Sequence, residues 1–255
     1  MLTTAEVKQV CRAGRSLLYP ALDFGTKSNG TYPSEDFAKV LTRSAFEREF
    51  TNTSARHLQL ARGESLGFEE RSPIAKSLLY NVGQFDTDAI DDQFDGVHDQ
   101  MFQVARRTRR FRETAECALD LHEWLYYGSS TTPKVCQVNP ERGTDLAYVF
   151  VTLCIVSPSV RFTLASEHVE RTDTASLIEA IRAVIETASR AVSITRIYCD
   201  RSFYRVELVK ELFELDIEFV IRAPKTAGIK QVLAEATEDI FVIDYEMVRK
   251  RTPAM

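Results

Sequence analysis

Two stretches decide the fold: Glu116-Cys117-Ala118-Leu119-Asp120 and Thr195-Arg196-Ile197-Tyr198-Cys199-Asp200. Each is a strand-forming run that closes on an aspartate, and the two carboxylates lie 80 residues apart. Strands ending in carboxylates can bring them together at one edge of a sheet. Two convergent carboxylates with open positions suit divalent metals acting on phosphodiesters.

Working outward, residues 115–127, 146–156 and 160–165 are rich in Val, Phe, Tyr, Ile and Leu, and Gly128, Gly143 and Ser157-Pro158 separate them. They read as three successive strands, paired as an antiparallel meander. From Thr174 to Ala191 the spacing turns helical, with Leu177, Ile178, Ile181, Val184, Ile185 and Ala188 on one stripe and Asp173 or Thr174 as cap. Ile194–Cys199 is a fourth strand. Ser202 is the expected N-cap of a helix carrying Phe203, Val206, Val209, Leu212 and Phe213. Glu218–Arg222 reads as a fifth strand stopped by Pro224, followed by a helix around Ile229–Ala236 and a strand at Ile240–Tyr245. The order from Arg112 onward is β-β-β-α-β-α-β, which predicts an α/β mixed sheet with helices on its faces. That is the order of the RNase H-like fold, in which the first and fourth strands lie side by side. Here those strands carry Asp120 and Asp200.

The amino-terminal part reads as helical and loop-rich. Its clearest helix runs from Thr87 to Arg110, with Ile90, Phe94, Val97, Met101 and Val104 at spacings of four, three, four and three. Aspartates 88, 91, 92 and 95 crowd its start, and Arg106, Arg107, Arg109 and Arg110 its end, with Arg112 just beyond. Two readings of that charge pattern stand together. Concentrated arginines are what phosphate binding needs, and acids first, bases last is also what the helix macrodipole favours. The expected division is a helical region over 1–111, an RNase H-like core over 112–225 and a further segment over 226–255; a DNA-end-binding role for the first and the start of a β-rich insertion for the last are what a family resemblance implies.

Composition excludes some classes of function. The 255 residues carry a formal net charge of −5, so the surface as a whole does not attract nucleic acid and any DNA contact needs a local patch. Five cysteines, at 11, 117, 136, 154 and 199, form no C-x-x-C pair, which points to reduced thiols. No apolar run is long enough to span a bilayer and no signal-peptide core begins the chain. A cytoplasmic protein without a membrane partner is expected.

Two motifs carry a resemblance. Ala118-Leu119-Asp120-Leu121-His122-Glu123-Trp124-Leu125-Tyr126-Tyr127-Gly128 resembles the first-aspartate segment of insertion-sequence DDE transposases, with its "D…YYG" pattern. Tyr198-Cys199-Asp200-Arg201-Ser202-Phe203-Tyr204 resembles their second-aspartate motif, usually close to D-R-G-F-Y, with Ser202 in place of the glycine. Glu207-Leu208 and Ile217-Glu218-Phe219-Val220-Ile221 continue the likeness, which is to group four of the bacterial and archaeal insertion sequences, especially the archaeal branch. The resemblance implies Mg²⁺ or Mn²⁺ held by Asp120 and Asp200, phosphodiester hydrolysis and strand transfer, and transposon-end and target DNA as partners. It also implies assembly of several copies on DNA.

The family places a third acid, a glutamate in a Tyr-Arg-Glu-Lys signature, beyond an inserted β-rich segment. This chain carries no such signature in the 55 residues after Asp200; Glu246 follows Tyr245 without the surrounding pattern. An incomplete, inactive copy truncated at the carboxy terminus is therefore expected. His122 falls on the same strand face as Asp120, either to orient a ligand or simply as a rim residue. Arg201 and Tyr204 flank Asp200 near the site. His57, His98 and His168 show no metal-ligand spacing. The rival readings are a non-catalytic DNA-binding or interaction remnant of such an element, and an RNase H-like nuclease unrelated to transposition.

Overall fold

The structure is a computed structural model, and it describes residues 12, 14–26, 30–66, 72–108, 113–156, 161–235 and 247. The chain divides into two units, Met1–Thr108 and Arg109–Met255.

The first unit is helical: α1 (Ser34–Glu47), α2 (Thr51–Leu66), α3 (Ala75–Val82) and α4 (Thr87–Arg107). Its core gathers Tyr19, Phe24, Phe37, Ala38, Val40, Ala55 and Leu78, with the Phe24 and Phe37 rings 5.7 Å apart. Asp86 caps α4 by accepting from the Ala89 N–H at 2.7 Å. The apolar stripe of α4 is used only in part. Val97 is buried, while Phe94, Met101 and Val104 are exposed. A short 3₁₀ turn, Tyr19–Ala21, packs on this helix, and Gln93 is bonded to Asp23 through both its amide oxygen and nitrogen.

The second unit is a six-stranded mixed sheet: β1 (Thr114–Tyr126), β2 (Cys136–Glu141), β3 (Thr144–Val156), β4 (Arg161–His168), β5 (Ser193–Cys199) and β6 (Glu218–Ile221). Helices α5 (Thr174–Ser189), α6 (Val206–Glu214) and α7 (Ala227–Glu235) complete it. β1, β3 and β4 form the expected antiparallel meander, and β1, β5 and β6 are parallel neighbours. β2 was not legible as a strand. Its sequence, Cys-Gln-Val-Asn-Pro-Glu, is polar and contains a proline, which suits only an edge, and it pairs with the β3 end that β4 leaves free.

One face of the sheet is buried. Cys117, Leu119, Val149, Val151, Leu153 and Ile197 are buried on it; α5, with Leu177, Ile181 and Val184 buried, packs on β3, β4 and β5, and α6 packs beside α5. The expected mixed sheet with packed helices is present, and α5 and α6 share one face. The crossovers β4-α5-β5 and β5-α6-β6 both advance in the same direction across the sheet, and right-handed connections in one direction fall on one side. On the opposite face the side chains alternate outward, and Trp124 is 75% exposed.

The buried thiols give a test of this layering. Burial pushes Cys117 up to about 12, with the Cys154 charge adding to it, and burial alone raises Cys199 to about 12. Cys154, half-buried on the other face, should be alkylated at pH 8, with Cys117 and Cys199 labelled only after denaturation. Mass spectrometry of the labelled peptides reads the difference. A raised thiol stabilises the fold fully below its ordinary value of 9.0 and loses that contribution as pH climbs toward about 12, so stability should fall across that alkaline window.

Candidate functional site

Leu119 of β1 is in register with Cys199 of β5, so Asp120 and Asp200 are the next residues on adjacent parallel strands. Neighbouring strands lie about 4.8 Å apart, which sets the two Cα atoms roughly 5 Å from each other. The pleat turns both away from the buried face that holds Leu119 and Cys199, and both residues are exposed.

The local reasons differ. β5 ends at Cys199, and Asp200 keeps an extended backbone (φ −71°, ψ 169°) before a 3₁₀ turn, Arg201–Phe203. Asp120 does not end its strand: β1 runs on to Tyr126 along β3, and Asp120 marks the step where the parallel partner stops. From there one side of β1 has no strand partner among the described residues. The Leu121 N–H, on that stretch, is taken by Asp120 Oδ1 at 2.9 Å.

His122 lies on the same face, with Nε2 3.5 Å from Asp120 Oδ2. Arg201 is exposed in the turn after Asp200, and the Tyr204 N–H closes that turn on the Arg201 carbonyl at 3.0 Å. Ser202 is not the cap of the next helix. It lies inside the 3₁₀ turn, whose winding seats Phe203 in the core, and α6 starts only at Val206 with no side-chain cap. Gly128, at the end of the first motif, is fixed by space: a Cβ there would collide with the Tyr126 ring, whose Oη meets Thr132 Oγ1 at 3.0 Å.

Farther down the same face, Tyr198 Oη donates to Glu116 Oε2 at 2.7 Å, and Arg196 bonds Glu218 at 2.7 Å and Glu116 at 3.3 Å. The Arg196 guanidinium is held in its charged form by its bonds to Tyr198 and Glu218. This network joins β1, β5 and β6 and fixes which way their outward residues face.

Two exposed carboxylates offer hard oxygen donors, which fit Mg²⁺ or Mn²⁺. The neighbouring thiols of Cys117 and Cys199 belong to the buried face. Among the described residues no third metal-ligating side chain joins the pair; the one group of three is Glu47, Glu49 and His57 in the helical unit. There His57 Nδ1 is 3.2 Å from Glu49 Oε2, and Arg43 bonds Glu47. Spacing could not show this trio, because a left-handed turn at Arg48 (φ 54°) and the start of α2 fold 49 back toward 57. The other histidines are structural: His168 Nε2 meets the Lys134 carbonyl at 2.6 Å and packs edge-on to Phe150, and His98 packs on Phe102.

Arg106 and Arg107 are exposed in the last turn of α4, where Arg107 bonds Gln103. Arg109 and Arg110 lie outside the described residues, as do Glu246 and the expected strand at 240–245. No helix among the described residues is long and apolar enough to cross a membrane.

No protein-family model matches the chain, and no curated protein matches it. Among solved structures it is similar to a piggyBac transposase synaptic complex with hairpin DNA, at 14% identity and a TM-score of 0.52 over 91% of this chain. A Drosophila P element transposase strand transfer complex (12% identity, 89% of this chain and 50% of that one) and a Mos1 strand transfer complex (10%, 81% and 85%) reach TM-scores of only 0.34 and 0.28, too low to support an argument. The chain spans 56% of the piggyBac chain it matches. At the level of architecture, then, this is an RNase H-like mixed α/β fold shared with a transposase.

Proposed function

We propose that this chain derives from a DDE-type insertion-sequence transposase of the group-four kind and that Asp120 and Asp200 are its first two metal ligands. The observation that carries the reading is the register of Leu119 with Cys199, which makes the two motif aspartates adjacent on one face. A divalent cation held there supplies polarisation of a scissile phosphate and activation of water or a DNA 3′-hydroxyl. Asp120 and Asp200 would bind it as Mg²⁺ or Mn²⁺, and His122, 3.5 Å from Asp120, would keep that carboxylate oriented. Arg201 and Tyr204 stand beside Asp200, where a DNA backbone would approach. Arg106 and Arg107 supply exposed positive charge for transposon-end DNA, and with Arg109 and Arg110 would form the local patch an acidic protein needs. Several copies would assemble on transposon ends and target DNA.

Two carboxylates, with no third beside them among the described residues, would hold a cation weakly, so this chain alone should show little or no strand transfer. The test is a Mn²⁺ titration followed by electron paramagnetic resonance, on a Glu49→Gln background that removes the separate Glu47, Glu49 and His57 trio. Weak but saturable binding is expected, lost in Asp120→Asn and in Asp200→Asn. Identical isotherms for all three proteins would sink the metal reading.

A further inference from the structure

The register extends one strand further than the aspartate pair. Cys199 of β5 is aligned with Ile221 of β6, just as Leu119 of β1 is aligned with Cys199. The residues that follow on the three parallel strands are Asp120, Asp200 and Arg222, side by side. The Arg222 N–H donates to the Cys199 carbonyl at 3.4 Å, so the ladder continues one step past the end of β6. That holds the Arg222 backbone about one strand spacing from Asp200.

Its face follows from the pleat. Residue 222 shares the face of 218, and Glu218 faces outward with Arg196 and Glu116, as their ion pairs require. This is the face of the two aspartates.

We propose that Arg222 is a phosphate-binding residue of this site, gripping the DNA backbone beside the aspartate pair. The inference rests on the phosphodiester reading above and deepens it. Other arginines of the sheet unit are already engaged: Arg196 by Glu116 and Glu218, Arg182 by Glu211, Arg190 by Glu186. Arg222 is exposed and has no carboxylate within ion-pair distance among the described residues. Two carboxylates repel an incoming phosphate, and a guanidinium in the same row offsets that repulsion on the β6 side. Its planar fork matches two phosphate oxygens at once. Pro224 ends the extended run two residues later, which keeps Arg222 at the rim where a duplex can reach it.

The test compares the unaltered 255-residue chain with Arg222→Gln, Arg222→Lys and, as a remote control, Arg190→Gln. Each is titrated with a short fluorescent DNA duplex, with and without Mn²⁺, over a range of salt concentrations. Mn²⁺ affinity and thermal midpoint are measured in parallel. Arg222→Gln should weaken DNA binding about tenfold and reduce the salt slope by about one, with Mn²⁺ affinity not reduced and the midpoint unchanged. Arg222→Lys should keep the slope but recover only part of the affinity, because it keeps charge and loses the fork. Arg190→Gln should behave as wild type.

DNA affinity and slope equal to wild type in Arg222→Gln would overturn the proposal, and so would a change confined to midpoint. Failure of the metal reading would appear elsewhere, as Mn²⁺ isotherms insensitive to Asp120→Asn and Asp200→Asn. The salt slope in metal-free buffer still decides the role of Arg222 in that case.

Discussion

Phe203→Ala is expected to destabilise the sheet unit by about 3–5 kcal/mol, the usual cost of removing a fully buried aromatic ring. Phe203 is 0% exposed and is the largest of the fully buried side chains. It also closes the turn that begins at Asp200: its N–H donates to the Asp200 carbonyl at 3.1 Å, and its own carbonyl accepts from the Arg205 N–H at 2.8 Å. The ring therefore anchors the segment that presents the second aspartate. Urea unfolding followed by circular dichroism should show the loss, and Mn²⁺ affinity should fall in the same variant because Asp200 loses its anchor. Phe203→Leu, which keeps most of the volume, should lose less than about 1.5 kcal/mol. A loss below about 1 kcal/mol in Phe203→Ala would contradict the packing described here, since it falls well short of the cavity cost.

Arg182→Leu is expected to destabilise the sheet unit, by stranding a buried carboxylate. Glu211 of α6 has a side chain only 7% exposed, and Arg182 of α5 holds both its oxygens, Nε on Oε1 and Nη2 on Oε2 at 2.7 Å. This fork ties together the two helices that cover the buried face. The loss is smaller than for a fully buried pair because Arg182 is 57% exposed and water screens it. The double change Arg182→Leu with Glu211→Leu should regain most of the loss, since no charge is then left unpaired. A double variant no more stable than Arg182→Leu alone would mean that Arg182 acts through packing alone.

Much of the sheet was legible because its strands announce themselves. β3 and β5 are rich in β-branched and aromatic residues, β1 alternates buried and more exposed positions from Ala115 to Asp120, and the stripe from Leu177 to Ala188 is an amphipathic helix that the fold buries along its length. β2 was missed because its polar, proline-containing sequence takes strand form only by pairing with β3. Ser202 was misplaced as a cap because local preference gave way to the demand that Phe203 be buried. The spacing of Ile90, Phe94, Val97, Met101 and Val104 identified α4 as a helix, but burial falls chiefly on Val97 and Phe102, which spacing alone does not single out.

At the site, the sequence by itself determined which carboxylates stand out, Asp120 and Asp200, and that His122 shares a strand face with the first. Those depend on local pattern and on the two-residue repeat of a strand, which any reader of the chain can count. Only the tertiary structure decided that Asp120 lies within β1 at the point where its parallel neighbour stops, and that Arg222 falls into the same row. Register between strands is set by long-range packing of Leu119, Ile197 and Cys199 beneath the helices, and no spacing along the chain encodes it.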